Sequence, residues 1–248
     1  MHIILRPAIL SIRAMGALLL CLGLLVPALA PASESPGLAP FRASYTAAMD
    51  KGISLNGSAT RTLEDRGDGT WLYRTRVDSL IANIDESLVL KWEQGQVVPL
   101  RYRYRLSGFL LKDREKSINF DWDKGRASGK YRGKPFSLEL EPGTLDPLGF
   151  QLQLRQDIRA GKQDMTYRII NKGKYDNDRF AILDQEPLEG PGGTVTTIKA
   201  EKVRGESARR ETLMWFAPEQ DYLLVRLRQV EPDGTSYELR LQHLDTDN

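Results

Sequence analysis

The chain of 248 residues holds one cysteine and two histidines. That scarcity limits the chemistry open to it. Cys21 and His2 both lie in the first thirty-two residues, which read as a removable leader. Without them no disulfide and no cysteine nucleophile can form, and His243 alone cannot build a multi-histidine metal site. No glycine-rich phosphate loop opens a helix, and no Gly-x-Ser-x-Gly elbow follows a strand. Net charge is scarce as well. The 35 Lys and Arg lose Arg6 and Arg13 with the leader, leaving 33 against 33 Asp and Glu, so the basic character belongs to the precursor and does not argue for nucleic acid. The long apolar run of a membrane span is missing too: Leu18–Leu25 is short and interrupted by Cys21 and Gly23.

What stands at the start is the order of a secretory signal. Arg6 and Arg13 precede the Leu-rich run, and small residues follow. Ala28-Leu29-Ala30 would leave Pro31 at the scissile bond, where its tertiary amide is a poor substrate. Ala30-Pro31-Ala32 frees Ser33 and is the expected site. Cys21 follows Leu20 rather than a small residue, which argues against a lipoprotein signal. The expected organisation is a signal peptide over 1–32, a flexible lead-in over 33–40 ("SESPGLAP") and a single β-rich domain over 41–248. The expected compartment is the periplasm, with no membrane span once the leader is gone.

From Phe41 onward apolar and polar residues alternate. Phe41, Ala43 and Tyr45 share one phase. So do Tyr73, Thr75 and Val77; Leu88, Leu90 and Trp92; Tyr102, Tyr104 and Leu106; Ile118, Phe120 and Trp122; and Phe136, Leu138 and Leu140. Such alternation marks strands with one buried and one wet face. Gly67-Asp-Gly69, Gln94-Gly-Gln96, Asp123-Lys-Gly125, Arg132-Gly-Lys134 and Pro232-Asp-Gly234 punctuate the runs at hairpin spacing. Further strands are expected over 165–170, 180–183, 194–203, 210–216, 223–230 and 237–244, about ten to twelve in all.

One element breaks the pattern. Asp146-Pro147 is a helix start, since the acid caps and proline at the first helical position loses no bond. The spacing predicts a helix over about 146–160, although Phe150, Leu152 and Leu154 also alternate as in a strand. At 100° per residue, Leu145, Leu148 and Leu152 form one apolar stripe and Phe150, Leu154 and Ile158 another, nearly opposite. Two stripes imply burial from two sides. The expected fold is mainly β: a strongly curved antiparallel sheet, or incomplete barrel, with this helix against its inner face.

Taken in order, "FRASYTA", "PLRYRYRLSG", "FDWDKGR", "PGTLDPLGFQLQLRQDI" and "ETLMWFAPEQDYLLVRLRQVEPDGTSYELRL" resemble domain-of-unknown-function family 3108, a family of exported bacterial proteins. The likeness covers about residues 41–244. Leu223-Leu224-Val225 departs from it, because the family often carries Leu-Pro-Val there. The resemblance implies a compartment and a fold but no reaction, and the implied fold is similar to that of the periplasmic lipoprotein-localisation carriers.

These readings favour a non-catalytic envelope protein that holds a lipid or other apolar ligand in a sheet–helix cavity. Tyr102, Tyr104, Phe120, Trp122, Phe150, Leu154 and Ile158 are its expected lining. The alternatives are an envelope interaction scaffold with a filled core and, third, a carboxylate-based hydrolase using Asp121, Asp123, Glu139 and Glu141. No catalytic residue, metal or cofactor is assigned. The expected partners are a lipid or acyl chain and an envelope protein, not nucleic acid. Arginines recur in period-two rows, Arg74/Arg76, Arg101/Arg103/Arg105 and Arg226/Arg228, and are expected to cross-pair with acids such as Glu238 on a solvated face. The competing role for the rows is an anion-binding strip. An outer-membrane barrel also fits alternation, but short strands and a two-faced apolar helix speak against it.

Overall fold

The computed structural model describes residues 37–52, 54–109, 112–190, 192–205 and 208–246. The leader expected over 1–32 and the first residues of the lead-in lie outside them. Among the described residues no helix is long and apolar enough to cross a membrane.

Eight strands come first: β1 (Phe41–Asp50), β2 (Ser54–Asp65), β3 (Trp71–Ser79), β4 (Asn83–Glu93), β5 (Gln96–Ser107), β6 (Arg114–Asp121), β7 (Arg126–Tyr131) and β8 (Lys134–Glu139). Helix α1 (Gly149–Arg159) follows. Six strands complete the chain: β9 (Asp164–Asn171), β10 (Lys174–Gly190), β11 (Gly193–Val203), β12 (Glu211–Ala217), β13 (Leu223–Val230) and β14 (Ser236–Asp245). All fourteen belong to one antiparallel sheet in the order β8-β7-β6-β5-β4-β3-β2-β1-β14-β13-β12-β11-β10-β9. The sheet is thus two meanders joined where β1 pairs with β14, for example Tyr45 opposite Leu241.

This order explains where the helix goes. The two edge strands, β8 and β9, are consecutive in the chain, and the segment between them carries α1. Right-handed twist curls so wide a sheet, which brings its edges together around their own connection. No ladder joins β8 to β9. The linker covers the open edge instead: Leu145 N–H donates to Arg168 O at 2.9 Å, and Ile170 N–H donates to Leu145 O at 2.9 Å. Tyr175 OH donates to Glu139 O at 2.6 Å, and Glu141 pairs with Arg168. Covering the edge removes a template for aggregation.

The core lies inside the curl. Tyr45, Leu63, Tyr73, Leu88, Leu90, Tyr102, Ile118 and Phe120 from the first meander meet Ile169, Phe180, Met214, Phe216 and Leu224 from the second, with Leu148, just ahead of α1, and Leu152, Leu154 and Ile158 of α1 in the same cluster. A smaller cluster of Leu213, Trp215, Ala217 and Val225 lies apart, with Leu188 of the long β10 packed against it. β12 is therefore buried along both faces.

The expected helix is present but shorter. Asp146 Oδ1 accepts Leu148 N–H at 2.9 Å and Gly149 N–H at 3.0 Å, making a turn ahead of the helix proper, which begins at Gly149. Two strands, β2 and β7, were not anticipated, because their inward positions hold Ala59, Arg61, Ala127 and Gly129 rather than an apolar row. Gly129 has a physical reason to be bare: a Cβ there would lie 1.8 Å from Ser117 O.

Candidate functional site

The seven residues expected to line one cavity fall in three places. Phe150, Leu154 and Ile158 sit in the helix core. Phe150 stacks on Phe180 with ring centroids 5.3 Å apart and tilts against Tyr167, and Leu154 and Ile158 are buried. Tyr102 and Tyr104 lie on β5 towards the loop into β6. The Tyr102 hydroxyl donates to Glu86 Oε1 at 2.6 Å, and the ring of half-buried Tyr104 lies under Lys116 Nζ at 4.4 Å. Phe120 and Trp122, at the other end of β6, stack on each other at 6.3 Å. Trp122 Nε1–H donates to Pro99 O at 2.7 Å, which fixes the indole. All seven belong to or pack against one hydrophobic cluster, and of them Phe120 and Trp122 border the open groove described below.

The helix is surrounded by side chains. Several of its polar residues are buried or half-buried too, with partners on separate parts of the chain. Gln151 accepts from Arg61 at 3.0 Å, and Gln153 accepts Val97 N–H at 2.8 Å. Arg155 pairs with Asp221 at 2.7 Å and lies 4.9 Å over the Phe41 ring. Asp157 accepts the Tyr167 hydroxyl at 2.7 Å. The space beside Tyr102, Ile118, Phe136, Pro147 and Ile170 is only about 10 Å³, at the lower limit for one water.

Open space lies elsewhere. A groove of about 740 Å³ runs along the end of the barrel where Val97, Val98 and Leu100 of β5 meet Phe120 and Trp122, with Pro142 of the linker as one wall. An irregularity in the β4–β5 register leaves Leu100 without a partner, since Leu90 faces Pro99 and Val89 faces Arg101. Such a bulge re-aims a side chain. The volume is within the range of small-molecule sites; its apolar floor is rimmed by Lys91 and by three carboxylates, Glu93, Asp121 and Asp123.

Charged residues on the apolar phase were overlooked in the sequence. Glu86 shares the phase of Leu88, Lys116 that of Ile118, and Arg61 that of Ala59 and Leu63. Burial raises the Glu86 carboxyl, opposed by the Tyr102 hydrogen bond and by the charges of Lys116 and Arg61. Asp146 is fully buried; desolvation pushes its carboxyl up to about 7, against two backbone N–H groups that favour the anion. Its Oδ2 has no hydrogen-bond partner. Two raised carboxyls near one tyrosine are the makings of acid–base chemistry, but the space beside Tyr102 has no room for a substrate.

Most of the arginines in the rows are charge-paired, whereas Arg103 donates to Asn119 instead of an acid. Arg74 forms two hydrogen bonds to Asp85, Arg105 faces Asp113 and Glu115, Arg226 pairs with Glu238, and Arg228 with Glu211. Of the four acids weighed for hydrolysis, Asp123, Glu139 and Glu141 are exposed and Asp121 is tied to Lys124 at 2.7 Å. His243 is exposed on β14. Among the described residues no three His, Cys, Asp or Glu side chains are grouped to hold a metal ion.

The chain belongs to the family described as "Protein of unknown function (DUF3108)", whose model matches residues 42–242. It is similar to the solved β-barrel-like protein of domain of unknown function DUF1849 from Brucella abortus. That match has 14% identity and a TM-score of 0.57, covering 85% of this chain and 99% of that one. This likeness shows the fold alone. A putative outer membrane lipoprotein-sorting protein domain from Vibrio parahaemolyticus matches at 10% identity and a TM-score of 0.24, covering 87% of this chain and 88% of its own. Overlap that low carries no argument. No curated protein matches the chain.

Proposed function

We propose that this member of the family is a non-catalytic protein of the cell envelope that binds an apolar, acyl-type ligand in the groove at Phe120 and Trp122. The observation that carries the reading is the groove itself: about 740 Å³ over stacked aromatic rings and the bulged Leu100. An acyl chain entering it would cover apolar surface now facing water, at about 25 cal/mol per Å². The Arg, Leu-rich and Ala-x-Ala order of residues 1–32 supports export to the periplasm. Intact mass of periplasmic protein starting at Ser33 supports that compartment, and a retained leader overturns it.

The binding test uses mature protein purified without detergent. Its organic extract is analysed for lipid, and an environment-sensitive apolar dye is titrated into wild type and Leu100→Trp, a change that fills the groove. Lipid in the extract, with saturable dye binding weakened by the tryptophan, supports the reading. An empty extract without saturable binding overturns it. The second reading, a scaffold that binds an envelope protein on its outer surface, is favoured by the side-chain packing around α1 and is the one left by that result.

A further inference from the structure

Cations without an ion pair are scattered over the sheet, but one end of the barrel gathers a group of them. Arg114, Lys116, Lys130, Arg132, Lys134 and Lys172 make no ion pair with any described residue. They converge from three elements. Register sets Arg114 and Lys116 of β6 opposite Leu106 and Tyr104, next to the β5–β6 loop. Lys130 is opposite Ser117. Arg132 and Lys172 occupy the tips of the β7–β8 and β9–β10 hairpins.

The two tips share a geometry. Arg132-Gly133 and Lys172-Gly173 are two-residue turns with φ of 51° and 76°, and of 56° and 77°, the mirror-image turn that matches strand twist. The β4–β5 turn at the opposite end has the same form, with Gln94 at 51° and Gly95 at 78°, but its non-glycine residue is uncharged. The β9–β10 tip leans on β8, where a Cβ on Gly173 would lie 3.2 Å from the Phe136 ring. Lys116, Lys130, Tyr131 and Lys172 consequently border one depression. Burial lowers the Lys116 ammonium; Glu86 opposes this, while the like charges of Lys172, Arg114 and Arg132 add to it, which places those three cations within electrostatic reach.

The same end carries two large apolar side chains in water. Leu80, in the β3–β4 turn, is 93% exposed, and Phe109, in the β5–β6 loop, is 75% exposed. Their loops touch: a Cβ on Gly108 would fall 2.1 Å from Ile81 O, so only glycine permits the approach. A leucine and a phenylalanine projecting beside cations that outnumber the nearby acids, Asp113, Glu115 and Glu86, is the arrangement that interfacial lipid contacts use.

We infer that this end of the barrel docks on an anionic phospholipid surface, with Leu80 and Phe109 entering the headgroup layer and Arg114, Lys116, Lys130, Arg132 and Lys172 meeting lipid phosphates. A soluble phosphate would engage the cations but leave the two apolar side chains in water, so a membrane accounts for more of what is there. The inference stands apart from the groove, which opens at the opposite end, and either can fail alone.

The test is co-sedimentation of the mature protein with phosphatidylcholine vesicles, with or without about one-third phosphatidylglycerol. Binding is expected only with the anionic lipid and is expected to fall with added salt. Arg132→Asn with Lys172→Asn, a pair that suits positive φ, should weaken it by about tenfold or more. Leu80→Ser with Phe109→Ser should weaken it several-fold while far-UV circular dichroism is kept. Arg42→Gln with Arg66→Gln removes the same charge at the opposite end and should leave binding within about twofold of wild type, because surface charges well beyond a Debye length are screened. Equal weakening by that control overturns the inference. So does failure to bind anionic vesicles, including the case where inorganic phosphate alone binds saturably.

Discussion

The two ends of the barrel are made by the same strands and differ in what the turns present. Where β6 runs into β7, the turn is anchored: Asp121 holds Lys124, Trp122 is fixed on Pro99 O, and the linker supplies Pro142 as a wall. The result is a groove with an apolar floor. At the β7–β8 and β9–β10 tips Arg132 and Lys172 make no ion pair with a described residue, while the β5–β6 connection mixes Arg114 with Asp113 and Glu115, and Leu80 and Phe109 stand in water. Both ends draw on one composition with nearly balanced charge. The contrast shows that the turn residues make the two ends chemically different, while the strands between hold them apart.

The comparison is broken most severely at the shared core. Leu154 is fully buried in α1. Leu154→Asp is expected to cost more than about 3 kcal/mol, because it deletes packing and strands a charge. Urea denaturation should show loss of a cooperative transition, and dye and vesicle binding should vanish together. If one end survives, the ends are not held by a common core.

Asp146 offers a graded change in the core between them. An Asp whose folded value is about 7 stays protonated well above the unfolded value. The folded state then holds the extra proton, so stability falls as pH rises from about 4 to about 7 and is level beyond. Asp146→Asn keeps the acceptor for Leu148 and Gly149 and removes the ionisation, so it should gain about 2–4 kcal/mol at pH 8 relative to pH 4 against wild type. Melting curves across that range check it, and parallel pH profiles would discard the assignment.

Trp122→Ala should sharpen the contrast between the ends. It removes the stacked ring and is expected to cost about 1–3 kcal/mol for a half-buried aromatic. Saturable dye binding should be lost and vesicle binding unchanged. A smaller effect is expected from Arg74→Gln on the charge-paired face: within about 1 kcal/mol, and less at high salt, since exposed pairs contribute little. Reductant and chelator should leave the melting temperature unchanged, and a drop with chelator would indicate a bound cation.

Much of the fold was legible because alternation reports locally which side of a strand is apolar. Tyr73, Leu88, Tyr102, Ile118 and Phe120 all face inward as their phase implied. The helix was legible from Asp146-Pro147 and from its two stripes, both of which are largely buried. β2 and β7 were not, since small or charged inward residues leave no apolar row to read. Nor was the full length of β10, whose far half alternates polar residues with Ile182 and Leu188. Glu86, Lys116 and Arg61 were visible as charges on an apolar phase, a signal of an interior polar cluster that went unused.

By itself, then, the sequence determined a wide curved sheet, the phase of each main strand and a helix needing burial on two sides. These follow from local spacing and composition, which need no knowledge of neighbours. Only the tertiary structure decided that the strands wrap α1 so that little space is left beside it. It also decided that Phe120 and Trp122 border a groove made by a bulge and by Pro142, and that Arg132 and Lys172, forty residues apart in sequence, stand by one rim. Register and closure decide those, because whether a cavity is open or a cation is paired depends on what a distant strand brings beside it.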